Sequence, residues 1–236
     1  MRGDIPGNVT DLPAMRGKTH IFKDRAEAGE VLARMLTAAP GERERIILAV
    51  PAGGVPVTAA MAMALGAPLD VAPVSKITPP GNSEVGYGAV AFDGSVRLND
   101  SLVAALGLSE DEVRQGIEAT LAKVRRRVRL FRGERPWPDL AGREAVLVDD
   151  GLASGFTVMV AATAVKRLSP AALSVAVPTA HLDALARLAG LVDLIWCANI
   201  RSADCFAVAD AYRNWRDVTE DEAVRILRRA LHVGRT

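Results

Sequence analysis

The sequence predicts an α/β protein with a doubly wound, mainly parallel sheet that helices cover on both faces, giving three layers. Short apolar runs alternate with helical stretches along most of the chain, which favours parallel strands joined by helical crossovers within one domain. The run at 45–50 is apolar almost throughout, which is typical of a strand buried on both faces. Gly and Pro lie between the runs and mark the turns.

The composition is that of a globular protein with a sizeable core. The chain has 236 residues, half of them apolar, with 29 Lys and Arg against 28 Asp and Glu. The near-neutral charge argues against general binding to nucleic acid or to a membrane surface, and the apolar content argues against a disordered chain. Two cysteines cannot form a disulfide framework or a four-ligand zinc site. No secretory signal is visible, so we expect a cytoplasmic location.

The first half of the chain predicts two helices and two strands after a loose start. Residues 1–20 lack any period and are predicted to be a flexible N-terminal tail ahead of a single domain over 21–236. An uncharged stretch over 46–69 is long enough to cross a bilayer, but its prolines and glycines favour a buried strand, a turn and a buried helix. The predicted elements are a helix over 26–39 capped by Asp24, a strand over 45–50, a helix over 55–65 ended by Gly66, and a strand over 69–76.

The second half begins with a long loop predicted over 77–94, which is rich in Gly and Pro. Ser109 and Glu112 form a capping box for a long helix that runs to residue 132, with arginines on its polar face. We expect that face to be solvated; a dimer contact or an anion site is the alternative. Further predicted elements are strands over 143–150, 173–177 and 192–197, and helices over 156–168, over 182–188 and from Thr219 onward.

Three loops, over 51–54, 76–94 and 149–157, directly follow predicted strands. In doubly wound sheets, ligands bind at the carboxyl ends of the strands. We therefore expect these loops to meet in space, although they lie far apart in the sequence.

The segment 146–157 carries the most chemical information. Its apolar strand ends in Asp149 and Asp150, and a loop of small residues then leads into a helix. Adjacent carboxylates offer acceptors for sugar hydroxyls or ligands for a metal. Backbone N–H groups at the start of the following helix favour a phosphate. A sugar phosphate satisfies both halves of the segment, and an acidic strand end followed by a capped helix is the purely structural alternative.

This segment resembles the phosphoribosyl pyrophosphate (PRPP) signature of the type I phosphoribosyltransferases, in which an apolar strand, two acids and a small loop precede Ser/Thr-Gly-x-Thr. Here the two acids are Asp149 and Asp150, and the last part of the signature is Ser154-Gly-Phe-Thr157. Further blocks resemble the predicted phosphoribosyltransferase branch of that family, over 22–29, 51–56, 74–76, 86–90 and 212–215. The likeness extends over residues 21–232.

The resemblance implies a type I phosphoribosyltransferase fold with a small hood and a long inserted helix. It implies that Asp149 and Asp150 bind the ribose hydroxyls and that Lys76 meets the pyrophosphate, so these three residues are the expected catalytic groups. The loop over 77–94 would close over the reacting centre. The implied 5-phosphate site comprises Gly151, Ala153, Ser154, Gly155, Phe156 and Thr157, and the implied pyrophosphate loop comprises Ala52, Gly53 and Gly54.

Two departures from the family pattern remove positive charge from the pyrophosphate side. Ala52 and Ser75 stand where relatives often carry Arg. Arg25, or an arginine of the segment 114–135, is the expected replacement, and we assign Arg25 to the pyrophosphate site. Mg²⁺ is the implied cofactor. PRPP would carry it, with the two aspartates as the protein groups able to touch it, so a metal-ligand cluster of the protein's own is not required.

The expected function is transfer of the 5-phosphoribosyl group from PRPP to a nitrogen acceptor, with a nucleobase as the first choice, and release of pyrophosphate, as in nucleotide salvage. The resemblance also implies a homodimer, and the composition leads us to expect neither a membrane nor a nucleic-acid partner. A PRPP-binding regulator without turnover is the main alternative, which Ala52 and Ser75 favour. A partner-binding protein that uses the basic helix is another. The GxGxxA pattern over 86–91 matches a dinucleotide fingerprint but lacks its strand–turn–helix context.

Overall fold

The computed structural model describes residues 4–38, 44–82 and 85–233, and nine strands and seven α-helices lie in these ranges. The strands are β1 Val9–Asp11, β2 Arg45–Ala49, β3 Leu69–Val71, β4 Val74–Ile77, β5 Gly88–Ala91, β6 Val96–Leu98, β7 Glu144–Val148, β8 Ala172–His181 and β9 Leu194–Arg201. The helices are α1 Arg25–Thr37, α2 Gly54–Leu65, α3 Asp100–Ala105, α4 Glu110–Arg132, α5 Phe156–Lys166, α6 Leu182–Ala189 and α7 Glu220–Val233.

Six strands form a fully parallel sheet in the order β1-β9-β8-β7-β2-β3. Helices cover both of its faces. On β2, Ile47 packs in the core shared with α1 and α2, whereas its neighbours Ile46 and Leu48 pack in the core shared with α5 and α6. The predicted three-layer, doubly wound fold class is therefore confirmed. Because the strands are parallel, their carboxyl ends lie along one edge, which is where such folds bind ligands.

A second, antiparallel sheet of three strands, β4-β5-β6, lies beside the main one. The long helix α4 packs across it, and Val124 joins a buried cluster with Ile77 and Tyr87. Gly116 allows this close approach, since a Cβ there would overlap the Tyr87 hydroxyl. The capping box predicted at Ser109 is present, and α4 is the long inserted helix that the family resemblance implied.

Most of the predicted elements are present, with altered ends. The Asp24 carboxylate caps α1 by accepting from two backbone N–H groups of its first turn. Gly66 ends α2 in the left-handed conformation, with φ +61°, which glycine adopts without a steric penalty. The uncharged stretch over 46–69 divides into strand, turn and helix as predicted. Among the described residues, no helix combines the length and the apolar character that a membrane span needs.

The segment for which the sequence predicts a flexible N-terminal tail contains a strand that the sequence did not predict, β1. Residues 9–11 pair in parallel with residues 195–197 at the edge of the main sheet. The chain that follows is also held, because the Asn199 side-chain amide donates to the Met15 carbonyl and the Gly17 N–H donates to the Ile200 carbonyl. A strand of three residues carries almost no periodic signal of its own, so only its partner strand reveals it.

Two further predictions are wrong in part. The single strand expected over 69–76 is two strands, β3 and β4, which belong to different sheets. Pro73 stands between them and lacks the N–H that would continue a ladder. The long loop expected over 77–94 contains β5, all four residues of which are buried between β4 and β6. The packing around Gly88 leaves no room for a side chain there. Because β5 consists mainly of such small residues, its sequence resembles that of a loop.

Candidate active site

Two of the predicted loops, 51–54 and 149–157, meet at the carboxyl edge of the main sheet. A Cβ added at Gly53 would overlap the Asp150 carboxylate and would lie 2.7 Å from its Cγ. A Cβ added at Gly54 would lie 2.6 Å from the Val148 carbonyl oxygen. The glycines of the first loop are therefore required by the close approach of the second, and the loops form one site.

The Asp150 carboxylate is held by Arg25, which lies at the start of α1. The Nε and Nη2 atoms of Arg25 lie 2.9 and 2.8 Å from Asp150 Oδ2, and its Nη1 donates to the Arg216 carbonyl. The guanidinium stacks on the Trp215 ring, with 3.8 Å from Cζ to the ring centroid. Tyr212 donates its hydroxyl to the Asp150 carbonyl at 2.6 Å. Contacts from distant parts of the chain thus fix the orientation of this one aspartate.

No cationic side chain among the described residues forms an ion pair with Asp149, and the two carboxylates differ in electrostatics for that reason. Burial, and then repulsion from Asp150, raise the pKa of Asp149 well above its ordinary value of 3.8. Burial also raises the pKa of Asp150, but Arg25 opposes that rise. Asp149 Oδ1 accepts one hydrogen bond, from the Asp150 N–H at 2.9 Å. The site thus holds a clamped carboxylate beside one that is costly to ionise until a ligand stabilises its charge.

The loop after the aspartates forms an N–H cradle at the start of α5. Gly155 has φ +72° and precedes the helix, and Ser154 Oγ accepts from the Phe156 N–H. Four other N–H groups of this turn have no acceptor within the described ranges. They are the N–H groups of Ala153, Ser154, Gly155 and Thr157. Unpaired N–H groups at a helix N-terminus are a natural site for an anion.

The cradle is anchored to the sheet and carries a neighbouring cation. Leu152 bridges to β8 through hydrogen bonds with Thr179 and His181. Arg187 of α6 donates to the Ser154 carbonyl at 3.1 Å. Arg187 was not among the predicted site residues, because its distance of 33 residues from Ser154 leaves no local signal.

The loop 51–54 offers a second set of N–H groups. The N–H of Gly54 donates to the Val50 carbonyl, and the N–H of Val55 donates to the Ala52 carbonyl. The N–H groups of Ala52 and Gly53 have no acceptor among the residues that the structure describes. Since these N–H groups lie beside the aspartates, the site presents carboxylates between two places suited to anions.

Lys76 lies on β4, with an exposed side chain opposite Ala89 of β5. The residue before it, Ser75, shares a hydrogen-bonding partner with Pro51: the guanidinium of Arg127, which donates to Ser75 Oγ at 3.1 Å and to the Pro51 carbonyl at 2.8 Å. Lys76 therefore lies in the same part of the molecule as the loop 51–54. The contact of Lys76 with pyrophosphate stays a prediction, and so does the closure of the segment 77–94 over the site.

Arg127 is a buried cation that was not among the predicted site residues. It lies on α4, three residues after Val124 and four before Phe131, so it belongs to the buried face of the helix rather than to the basic one. Helical spacing alone could have found it, because these positions share one side of an α-helix. Its Nη1 also donates to the Val74 carbonyl at 2.6 Å, and its Nε lies 3.0 Å from Glu220 of α7.

The two rival interpretations of the sequence receive little support from the structure. On the basic face of α4, Arg114 pairs with Asp111 at 2.5 Å and Arg126 pairs with Glu220 at 2.7 Å. The positive charge of that face is therefore partly neutralised. The GxGxxA pattern over 86–91 includes β5, and antiparallel β6 follows it, so it lacks the helix that a dinucleotide fingerprint opens.

The fold and the site together define a protein of the phosphoribosyltransferase class. The family model for the phosphoribosyl transferase domain matches residues 24–190, and the chain belongs to that family, of type I. A Mycobacterium tuberculosis protein named "Putative phosphoribosyl transferase" is 37% identical over 210 residues, which are 89% of this chain and 47% of the relative. The chain thus spans about half the length of the curated relatives it matches.

A solved structure shares this fold over nearly its whole length. The crystal structure of the protein TT1426 from Thermus thermophilus is 32% identical to this chain, with a TM-score of 0.70. The match covers 89% of this chain and 98% of that one. The likeness therefore extends over most of the fold that positions the site.

Proposed function

We propose that the protein transfers the 5-phosphoribosyl group from PRPP to a nitrogen acceptor, a nucleobase in the first instance, and releases pyrophosphate. The observation that carries the proposal is the order of binding groups along the site. The N–H cradle at 153–157, the two aspartates and the N–H groups of 52–53 follow one another. PRPP carries a 5-phosphate, two ribose hydroxyls and a pyrophosphate in that same order.

The reaction would break the bond between the anomeric carbon and the pyrophosphate oxygen. That oxygen keeps the electron pair, positive charge develops on the ribose ring, and the nitrogen lone pair of the acceptor forms the new bond. The proton that the acceptor nitrogen carried passes to solvent. Asp149 and Asp150 would orient the ribose through its hydroxyls and stabilise the developing positive charge. Lys76 and the N–H groups of Ala52 and Gly53 would stabilise the negative charge of the leaving pyrophosphate.

Magnesium fits this donor set only together with the substrate. The described residues contain no group of three or more His, Cys, Asp or Glu side chains that could hold a metal. Asp149 and Asp150 supply hard oxygen ligands of the kind that Mg²⁺ prefers, and PRPP would supply the rest. When bound, Mg²⁺ would neutralise charge on the leaving pyrophosphate.

Arg25 would act through Asp150. Its two contacts with that carboxylate and its stacking on Trp215 support a role on the ribose side of the site, next to the pyrophosphate contact that we expected from the sequence. An Asp150 side chain that Arg25 holds in place can accept hydrogen bonds from a ribose hydroxyl without first reorganising.

The test is pyrophosphate release from PRPP in the presence of Mg²⁺, across a panel of nucleobases and small amines. We expect release that depends on one class of acceptor. The variant Asp149→Asn/Asp150→Asn keeps the side-chain shapes and should release none, because each side chain loses its negative charge and one of its two acceptor oxygens. Acceptor-dependent release at the parental rate by this variant would contradict the proposed site.

A PRPP-binding regulator is the second candidate, and the lack of cationic side chains at Ala52 and Ser75 favours it. It predicts that PRPP binds, by calorimetric titration, in a way that needs both aspartates, while no acceptor in the panel releases pyrophosphate. Absence of both binding and release would contradict both candidates. The homodimer and the cytoplasmic location implied by the family resemblance stay predictions.

A further inference from the structure

We propose that Arg127 is the positioning residue of the pyrophosphate side: from α4, it holds the loop 51–54 in its binding conformation and supplies the positive charge missing at Ala52 and Ser75. This inference rests on the proposed function, since it assigns the loop to pyrophosphate. It concerns a residue that lies 75 positions beyond Ala52 in the sequence and that no local motif includes.

The Arg127 guanidinium joins three separate parts of the chain. It donates to the carbonyl of Pro51 in the loop, to the carbonyl of Val74 and the hydroxyl of Ser75 on β4, and it lies 3.0 Å from Glu220 of α7. Only 8% of the side chain is exposed. Such a buried guanidinium is costly unless its donors are used, and here most of them are.

The contact with Pro51 acts directly on the loop. The Pro51 carbonyl and the Ala52 N–H belong to one peptide plane, so a hydrogen bond that fixes the carbonyl also fixes the direction of the N–H. The Ala52 N–H is one of the two donors of the loop that lack an acceptor among the described residues. Arg127 therefore acts on the ligand through this peptide, and it need not touch the ligand itself.

The position of the charge explains the two small residues beside it. Ser75 accepts a hydrogen bond from Arg127, and Ala52 directly follows another of its acceptors, Pro51. A second cationic side chain at either position would start next to this guanidinium and would be repelled by its charge. One arginine that enters from α4 thus replaces two cations carried by the loop and the strand.

Glu220 moderates the charge without cancelling the contacts. It pairs with both Arg127 and Arg126, so one carboxylate faces two guanidinium groups and these three side chains keep a net positive charge. Asp149 also contributes to the electrostatic environment of Arg127. The leaving pyrophosphate would therefore enter a field that is positive on the α4 side and negative on the ribose side.

The experiment compares Arg127→Met with Arg125→Met, which removes an exposed arginine from the same helix. Dissociation constants are measured by calorimetry for pyrophosphate with Mg²⁺ and for ribose 5-phosphate, which probes the other side of the site. For Arg127→Met we expect pyrophosphate binding to weaken by about 10- to 100-fold, the range expected for lost hydrogen bonds to a charged group. Ribose 5-phosphate binding should be unchanged. For Arg125→Met neither constant should change.

Two more variants keep the inference testable if Arg127→Met does not fold. Arg127→Lys keeps the charge but cannot span the three acceptors, so its pyrophosphate affinity should fall between those of the parent and Arg127→Met. Ser75→Ala removes one acceptor and should weaken pyrophosphate binding least. A purely structural role would lower the melting temperature and affect both ligands alike, and that result would overturn the inference.

The parent protein separates the two possible failures. If the parent binds neither PRPP nor ribose 5-phosphate, the proposed function is wrong. If the parent binds both, and the folded Arg127 variants bind pyrophosphate as tightly as the parent does, only the role of Arg127 is wrong.

Discussion

The two sides of the site are built in opposite ways. The proposed ribose 5-phosphate side is one continuous segment, 149–157, in which carboxylates, loop and helix start follow each other directly. The proposed pyrophosphate side is assembled from the loop 51–54, from β4, from Arg127 on α4 and from Glu220 on α7. The first depends on local backbone geometry, whereas the second depends on how a long helix packs against two sheets.

The difference shows how the positive charge of a binding site can come from another part of the chain while the site itself stays in place. Here we propose that Arg127 on α4 supplies the charge that positions 52 and 75 lack. A local cradle made of backbone N–H groups tolerates few changes, because the direction of each N–H group depends on the conformation of the loop. A cation in an assembled site needs only to reach the right place, so a neighbouring helix can supply it. The same contrast makes the two sides differ in sensitivity to mutation, which the following experiments test.

The largest expected effect is on the ribose side, from Asp149→Asn. Loss of this carboxylate should weaken PRPP binding by about 100-fold, the upper part of the range for a lost hydrogen bond to a charged group. Calorimetric titration measures it. Pyrophosphate binding without ribose should change much less, and equal losses for both ligands would contradict the division of the site into two sides.

The same variant should raise stability at neutral pH. The pKa of Asp149 is raised in the folded state, so the folded protein keeps a proton that the unfolded chain loses near pH 3.8. The free energy of unfolding therefore falls as the pH rises from about 3.8 to the raised pKa of the folded protein. Above the raised pKa, the total loss is about 1.4 kcal/mol for each unit by which folding raises the pKa. Asn does not titrate, so we expect a higher melting temperature at pH 7 and none of this gain at pH 3. Asp150→Asn, which breaks the Arg25 pair, is the contrasting control.

An intermediate effect is expected at the contact between the two sides, from Gly53→Ala. The added Cβ would overlap the Asp150 carboxylate, so the loop must shift, at a cost of about 1–3 kcal/mol. The melting temperature should fall by about 2–4 °C for each kcal/mol, and pyrophosphate binding should weaken. Gly190→Ala is the matched control, because a Cβ there meets nothing within 4 Å. Wild-type stability and binding in Gly53→Ala would show that the loops are not in contact.

The smallest effect is expected from Trp215→Ala, which removes the ring under Arg25. Such a cation–π contact contributes about 0.5–2 kcal/mol, so PRPP affinity should fall by a few-fold to about 30-fold. Trp137→Ala is a close control, because Arg132 stacks on Trp137 at the same 3.8 Å, but outside the site. Trp137→Ala should lower stability and leave PRPP affinity unchanged. Equal affinities for the two variants would mean that Arg25 does not need its aromatic support.

Local patterns predicted the elements that carry their own signals. The Asp24 cap of α1, the Ser109 capping box of α4 and the left-handed Gly66 after α2 each depend on neighbours within a few residues. The segment 149–157 belongs to this group as well. Such features are visible in a sequence because the groups that interact are close along the chain.

Features that depend on distant partners were missed. β1 has no strand pattern without β9 beside it, and β5 is made of small residues because β4 and β6 enclose it. The division of residues 69–76 between two sheets follows from where each half finds a hydrogen-bonding partner, with Pro73 at the break. Pairing over long sequence distances leaves little trace in either strand alone.

The sequence by itself determined the fold class, the family resemblance and the contiguous segment that we propose for ribose 5-phosphate, because these depend on periodicity and on a local motif. Only the tertiary structure decided which cations serve which acceptors. Arg25 lies on Asp150, 125 residues away, and Arg127 lies on Pro51, 76 residues away. A charge acts through space with an energy set by distance and burial, and neither quantity can be read along the chain until the helices have packed.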